Sequence, residues 1–314
     1  MNICDVAARL RGMDRILILT HVRPDGDTVG CATALCQALR DMGKEAYLLY
    51  NPEITATYEP YARDYWAPKG WEPKSVVSTD VAVPGLLTEN AAPYIDRIDL
   101  AIDHHPSHSY FAAESYVDAS AAACGEILYA VIRELTAITP AIALRLYVAI
   151  STDTGCFVYS NTTASTHRIA AELMAHDFGV AEVNKALFRT KSKVRLRMEA
   201  HMAAHMELYD EDRVVVMTIP LRLREEMHAT EADIEELSSL AALVEGTDCA
   251  ITLRELRPGT IKISLRTGAR VNATEVCAKL GGGGHRAAAG ATVNGTMDEV
   301  KAAVLRAVQE VVGS

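Results

Sequence analysis

Short apolar runs that each stop at an acidic or histidine residue constrain this chain more than any other feature. Ile16-Leu17-Ile18-Leu19 leads into the polar loop Thr20 to Asp27, and Ser75-Val76-Val77-Ser78-Thr79 stops at Asp80. A run around Leu100 to Ile102 stops at Asp103-His104-His105, and an element near Ile150 runs into Asp153. Amphipathic helical patterns lie between and after them, over about Thr28 to Met42, Ser120 to Leu135 and Ala141 to Ser151. Gly43 closes the first of these before another strand, Ala46 to Tyr50, while Asn51 to Lys74 reads as an irregular excursion. This alternation predicts βαβ units, hence an α/β fold with a mainly parallel sheet flanked by helices. Ligands of such sheets bind at the carboxyl ends of the strands, where side chains from several elements can converge.

The chain of 314 residues is long enough for two domains at about 150 residues each. The boundary falls at a change of composition. Between Lys185 and Arg197 the chain carries Lys185, Arg189, Lys191, Lys193, Arg195 and Arg197 and no acidic residue. That stretch reads as a solvated connecting helix, or as a basic wall facing an anionic substrate. The expected organisation is residues 1–184, a helical linker 185–208, and a smaller α+β domain 209–314. The last has strands near Val214 to Ile219, Cys249 to Leu256 and Ile261 to Leu265, then four glycines, then a helix over Met297 to Val312.

Several functional classes fall away. A hydrophobic share of 49% with 23% charged residues excludes a disordered chain. The net charge of −10 opposes coating of long duplex nucleic acid, which needs many phosphate-neutralising cations. No window holds the ~18 uncharged apolar residues of a membrane span. The first residues mix Asp5, Arg9, Arg11 and Asp14 among apolar ones, unlike a signal peptide. Seven cysteines without a C-x-x-C pair do not make a disulfide framework, so the expectation is a reduced, cytoplasmic protein.

The loop His21-Val22-Arg23-Pro24-Asp25-Gly26-Asp27 packs an imidazole and two carboxylates into a turn after a strand. Such mixed nitrogen and oxygen donors suit a divalent first-row metal. Taken alone it also reads as an acidic turn with a chance histidine. Asp103-His104-His105 adds two adjacent imidazoles at a strand end, a pattern packing rarely needs. Asp80 and Asp153 in Thr152-Asp153-Thr154-Gly155 are each ordinary turn or cap residues in isolation. The four signals gain their weight from coming in one ordered series. His201 and His205 have the spacing of a helical metal pair, but with no third ligand in the pattern they read as a surface pair. The run Gly281 to Gly284 is no P-loop, since no Lys-Ser/Thr pair follows. It is either a flexible linker or a place where backbone N–H groups approach an anion.

The ordered series H-x-x-x-D-x-D, D, D-H-H and T-D-T-G resembles the DHH phosphoesterase superfamily, at His21/Asp25/Asp27, Asp80, Asp103-His104-His105 and Asp153. Lys262 to Thr267, Gly281 to His285 and Ala287-Ala288-Ala289-Gly290 resemble the DHH-associated domain of its RecJ-like branch. The compact length is most similar to the bifunctional oligoribonuclease and pAp phosphatase group. The resemblance implies a DHH domain joined by a helical linker to a substrate-binding domain, and two-metal hydrolysis with ions about 3.5–4 Å apart. His21 and Asp25 would hold one ion, Asp27, His104 and Asp153 the other, and Asp80 would bridge. The donor set favours two Mn²⁺, with Mg²⁺ or Co²⁺ as substitutes. Asp103 would orient a neighbouring imidazole, and His105 would stand against the scissile phosphate. Arg266, Gly282, Gly283, Gly284 and His285 would grip the substrate's end, and Asn161 would touch it.

The implied activity is hydrolysis of short oligoribonucleotides, of 3′-phosphoadenosine 5′-phosphate (pAp) to AMP, or of both. The alternatives are a phosphodiesterase of linear or cyclic dinucleotides such as pApA and pGpG, and a catalytically silent nucleotide- or RNA-binding protein. Partners would be a short RNA or nucleotide, without long duplex or membrane, and a homodimer is compatible with the pattern.

Overall fold

The computed structural model describes residues 1–312. Its contacts divide the chain into two compact units, Met1–Thr190 and Lys191–Ser314. The first is built on five strands: β1 Ile16–Leu19, β2 Ala46–Leu48, β3 Ser75–Thr79, β4 Leu100–Asp103 and β5 Glu114–Val117. All pairings are parallel, in the order β2-β1-β3-β4-β5. Ile16 and Ile18 of β1 face a core shared with Leu35, Leu128 and Leu146. Leu17 and Leu19 face a second cluster with Val76, Ala91 and Ile98. Covering both faces is what an uninterrupted apolar strand needs. The chain turns from β1 to β2 on one side and returns to β3 on the other. The strand order therefore reverses between β1 and β3, which opens a crevice at their carboxyl ends.

Two helices close that crevice from one side, Gly26–Asp41 and Pro140–Asp153. A Cβ on Gly30 would lie 2.8 Å from the Ala149 nitrogen and Cβ and would strike the Arg145 carbonyl. One on Gly26 would lie 2.7 Å from Thr152 Cβ. These glycines, one helical turn apart on a single face, let the two backbones touch. The close approach brings Asp27, near the start of one helix, to Asp153 at the end of the other.

The second unit carries β6 Glu207–Tyr209, β7 Val214–Ile219, β8 Cys249–Arg257, β9 Thr260–Thr267, β10 Gly283–His285 and β11 Ala288–Asn294. Their order is β10-β11-β9-β8-β7-β6, antiparallel except for β7 against β8. Side chains alternate across this sheet as period-two geometry demands. Val214 and Val216 join a core with Val276, Val300 and Val304, and Val215 and Met217 join another with Met198, Met202 and Leu237.

Several elements depart from the sequence expectation. The helix expected from Ser120 begins at Cys124, because the Asp118 carboxylate accepts from both the N–H and the hydroxyl of Ser120 and holds a turn there. Strand β2 stops at Leu48, β5, β6 and β10 are short strands, and all three, like the longer β11, carry little apolar signal. The glycine run lies partly in a strand. The basic stretch is not one helix: Lys185–Arg189 forms a π-helical turn in the first unit. Ser192 then caps a new helix, Lys193–Ala204, whose Met198 and Met202 are buried in the second. No helix among the described residues is long and apolar enough to cross a membrane.

Candidate active site

The polar residues at the carboxyl ends of β1, β3 and β4 meet in the crevice, joined by the end of the Pro140–Asp153 helix. Asp25 is the N-cap of the Gly26–Asp41 helix, its Oδ1 accepting the N–H groups of Asp27 and Thr28 at 3.0 and 3.1 Å. Asp27 caps a different helix. Ala123 precedes the Cys124–Leu135 helix and offers no capping side chain. Instead Asp27 Oδ2 accepts from Cys124 N–H at 2.7 Å and Oδ1 from Gly125 N–H at 3.0 Å. A helix N-terminus thereby favours a carboxylate that is 1% exposed. Asp80 has φ of +59°, a left-handed turn that Asp tolerates better than most residues.

Two imidazoles face these carboxylates with one nitrogen each. His21 Nδ1 lies 2.7 Å from the Val22 carbonyl and His104 Nδ1 lies 3.3 Å from the Ala121 carbonyl. A carbonyl only accepts, so each Nδ1 carries a proton and each Nε2 is free to act as a ligand. His21 Nε2 stands 3.6 Å from Asp25 Oδ1 and 3.8 Å from Asp80 Oδ2. His104 Nε2 stands 3.6 Å from Asp80 Oδ1, 3.7 Å from Asp153 Oδ2 and 3.8 Å from Asp27 Oδ2. These separations are too long for hydrogen bonds and suit groups surrounding a cation. His21, Asp25 and Asp80 form one group that could hold a metal ion, and Asp27, His104 and Asp153 form another.

The electrostatics of this cluster ask for positive charge. Burial, then the charges of Asp153 and Asp25, push the Asp27 carboxyl well above its ordinary range. Burial, then Asp27, does the same to Asp80. Asp80 Oδ1 is buried without a hydrogen-bond partner. Burial works against a charged His21, yet the Asp25 carboxylate beside it leaves its pKa raised, a proton serving there as the nearest cation. Divalent ions fit this donor set.

A third possible group is Asp80, His104 and His105, the last approaching Asp80 with its Nδ1. That nitrogen is already bonded to Asp103 Oδ1 at 2.8 Å, against 3.5 Å to Asp80. Asp103 is fully buried and also accepts the His104 N–H at 2.8 Å. Burial would raise its pKa, but hydrogen bonds from His105 and His108 leave it lowered.

A model of the DHH family N-terminal domain matches residues 15–150, and one of the DHHA1 domain matches residues 212–314. The bifunctional oligoribonuclease and PAP phosphatase NrnA of Thermus thermophilus is 34% identical over 94% of this chain and 89% of its own. This chain belongs to the DHH family of phosphoesterases. The enzyme of the same name from Bacillus subtilis is 26% identical over 89% of this chain and 90% of its own. Among solved structures, an exopolyphosphatase-related protein from Bacteroides fragilis has a TM-score of 0.88 at 20% identity, covering 99% of this chain and 96% of that one. The exonuclease RecJ bound to manganese has a TM-score of 0.51 at 13% identity, covering 99% and 94%.

In the DHHA1 domain, Arg266 on β9 and His285 on β10 both pair with Ala288 of β11. Residues directly opposite in antiparallel strands point the same way, so the two side chains share one face with a small residue between them. Gly282 and Gly284 are required by β11: a Cβ on Gly282 would strike the Gly290 carbonyl and lie 2.7 Å from Ala291 Cα, and one on Gly284 would lie 2.6 Å from Ala289 Cα. Gly283 has open space around it and leaves its backbone approachable. Asn161, in the DHH domain, donates from its amide to the carbonyls of Ala122 and Asp153 at 2.8 and 3.1 Å. Its nitrogen thus ties the end of the Pro140–Asp153 helix to the segment before the Cys124–Leu135 helix. Sequence reasoning missed His108, which the structure buries against Asp103. The available signal was Pro106, which starts a turn that folds the chain back.

Proposed function

We propose that this DHH-family phosphoesterase hydrolyses short oligoribonucleotides and pAp with two divalent ions, Mn²⁺ foremost, in a cytoplasmic setting. The observation that carries the reading is Asp80. Its two oxygens face different imidazoles, Oδ2 towards His21 and Oδ1 towards His104, as a carboxylate bridging two ions must. His21 and Asp25 would complete one ion's ligands, and Asp27, His104 and Asp153 the other's. Ions held there would activate a water and neutralise the phosphate oxygens. The substrates are those in the names of the Thermus and Bacillus relatives, and RecJ, similar in fold, was solved with manganese.

The chain's own groups do the rest. Asp103 holds the Nδ1 proton of His105 and leaves Nε2 as that ring's free nitrogen. The hydrogen bond to Asp103 raises the His105 pKa, so the ring keeps a second proton to higher pH. A protonated Nε2 can then donate to a phosphate oxygen or to the leaving group. Arg266 and His285 would bind the charged end of the nucleotide. The test is a Mn²⁺-supplemented panel of pAp, pApA, pGpG and RNAs of two to seven residues, read by chromatography. Hydrolysis of pAp and short RNA that stops with chelator is expected. Turnover persisting in excess EDTA after dialysis refutes the metal reading, and cleavage of dinucleotides alone refutes the substrate reading. No cleavage of any of them would leave a binding protein.

A further inference from the structure

We propose that His108 is a positioning residue of the phosphoesterase reaction, setting His105 through the carboxylate of Asp103; this rests on the role of His105 given above. His105 accepts the His108 N–H at 3.1 Å, closing a turn with Pro106 at its second position, where its fixed φ favours the bend. Ser109 N–H donates to the Ala82 carbonyl at 2.9 Å and anchors the far side. The turn returns the His108 side chain, 1% exposed, beneath Asp103. His108 Nδ1 lies 2.8 Å from Asp103 Oδ2 while His105 Nδ1 lies 2.8 Å from Oδ1. Oδ1 takes the His105 imidazole and the His104 N–H, and Oδ2 takes the His108 imidazole. Fixing one edge fixes the plane, and the plane directs the other edge at His105. The ring of His108 is itself held by Phe111 and Tyr110, with centroids 5.1 and 5.2 Å away.

The other nitrogen of His108 points to a role beyond filling space. Nε2 is buried with no hydrogen-bond partner, a state that opposes folding. An apolar residue would fill the volume without that loss, but it would leave Asp103 Oδ2 without the donor that sets its plane. Only the Nδ1–H donor explains a histidine here, and that donor serves Asp103 alone.

The test is steady-state kinetics of the full chain with Mn²⁺ on pAp and bis-p-nitrophenyl phosphate. The variants are His108→Leu, His108→Asn, His105→Ala and the double variant His105→Ala/His108→Leu, each checked for fold by circular dichroism and for bound manganese. Asn places its amide nitrogen where Nδ1 stands, whereas Leu has no donor. His108→Leu should lower kcat roughly 10- to 100-fold, as loss of an orienting partner does, with KM within about twofold and metal content unchanged. His108→Asn should return kcat to within about threefold of the parent chain. In the His105→Ala background, His108→Leu should cost nothing further, because its only route is already gone. Parental kcat in His108→Leu, a loss that Asn fails to repair, a fall in bound manganese, or multiplying losses in the double variant would each overturn the proposal. If His105→Ala itself keeps parental kcat, the role of His105 fails first and this inference falls with it. Should His108→Leu not fold, His108→Gln replaces it. Its amide reaches past the Nδ1 position, so it should be slow where Asn is fast, and equal rates would refute the assignment.

Discussion

Replacing Asp80 with Asn should stabilise the metal-free protein and abolish its response to manganese, two effects of opposite sign from one substitution. Asp80 is 2% exposed, its Oδ1 has no hydrogen-bond partner, and burial and Asp27 raise its pKa well above the carboxylate range. A carboxyl whose folded pKa is raised costs stability that builds up as pH rises from its unfolded pKa to the folded one and vanishes only below the unfolded value. Asn removes the cost at neutral pH while nearly preserving shape. Two full charges about 4 Å apart at an effective dielectric near 20 repel by about 4 kcal/mol, an upper limit for groups that can take up protons instead. A ligand at 100 times its Kd stabilises by about 2.7 kcal/mol. For a unit of 150–250 residues that is a rise in Tm of roughly 5–11 °C. Both tryptophans, Trp66 and Trp71, lie in the first unit, so their fluorescence follows its unfolding alone. Melts at pH 7 in EDTA should give Asp80→Asn a Tm no lower than the parent's. Melts in saturating Mn²⁺ should raise the parent by the stated amount and leave the variant unmoved. A lower metal-free Tm in the variant, or an undiminished manganese shift, would refute the bridging role.

Gly30→Ala gains about 1 kcal/mol of helix propensity but forces a Cβ to within 2.8 Å of Ala149, and such overpacking costs about 1–3 kcal/mol. The net change in the tryptophan melt should be destabilising by up to about 2 kcal/mol, and half-maximal activity should need more Mn²⁺ because Asp27 and Asp153 are pushed apart; stabilisation would mean the helices are not held at backbone contact. Arg266→Ala and His285→Ala should raise KM for pAp roughly 10-fold or more, as loss of a charge-assisted contact does, and should leave bis-p-nitrophenyl phosphate kinetics within about twofold of the parent. Equal proportional losses on both substrates would remove the DHHA1 face from substrate recognition.

The fold class and the convergence of the ordered histidines and aspartates were legible because they depend on local rules. A strand covered on both faces must be largely apolar, so β1 announces itself and β3 shows through Val76 and Val77, and residues just past such strands must lie at one edge of the sheet. By that logic His21, Asp25, Asp27, Asp80 and His104 fall near one another on sequence grounds alone. Strands β5, β6, β10 and β11 stayed hidden because their pairing partners, and not their own composition, make them strands.

What tertiary structure alone decided is which atom of each residue faces which. The sequence names two histidines, but only the carbonyls of Val22 and Ala121 determine that Nε2 is the free nitrogen of each. It names Asp27 as a ligand candidate, but not as the cap of a helix that starts 97 residues later. It offers Asn161 for substrate, but not that its amide nitrogen donates to the carbonyls of Ala122 and Asp153. Gly26 and Gly30 look like ordinary helical residues until a second helix lies against them. His108 shows no partner in sequence and has one in space. Strand and helix follow from a residue and its neighbours along the chain. Hydrogen-bond partners and like-charge crowding depend on groups distant in sequence, and these set the chemistry of the site.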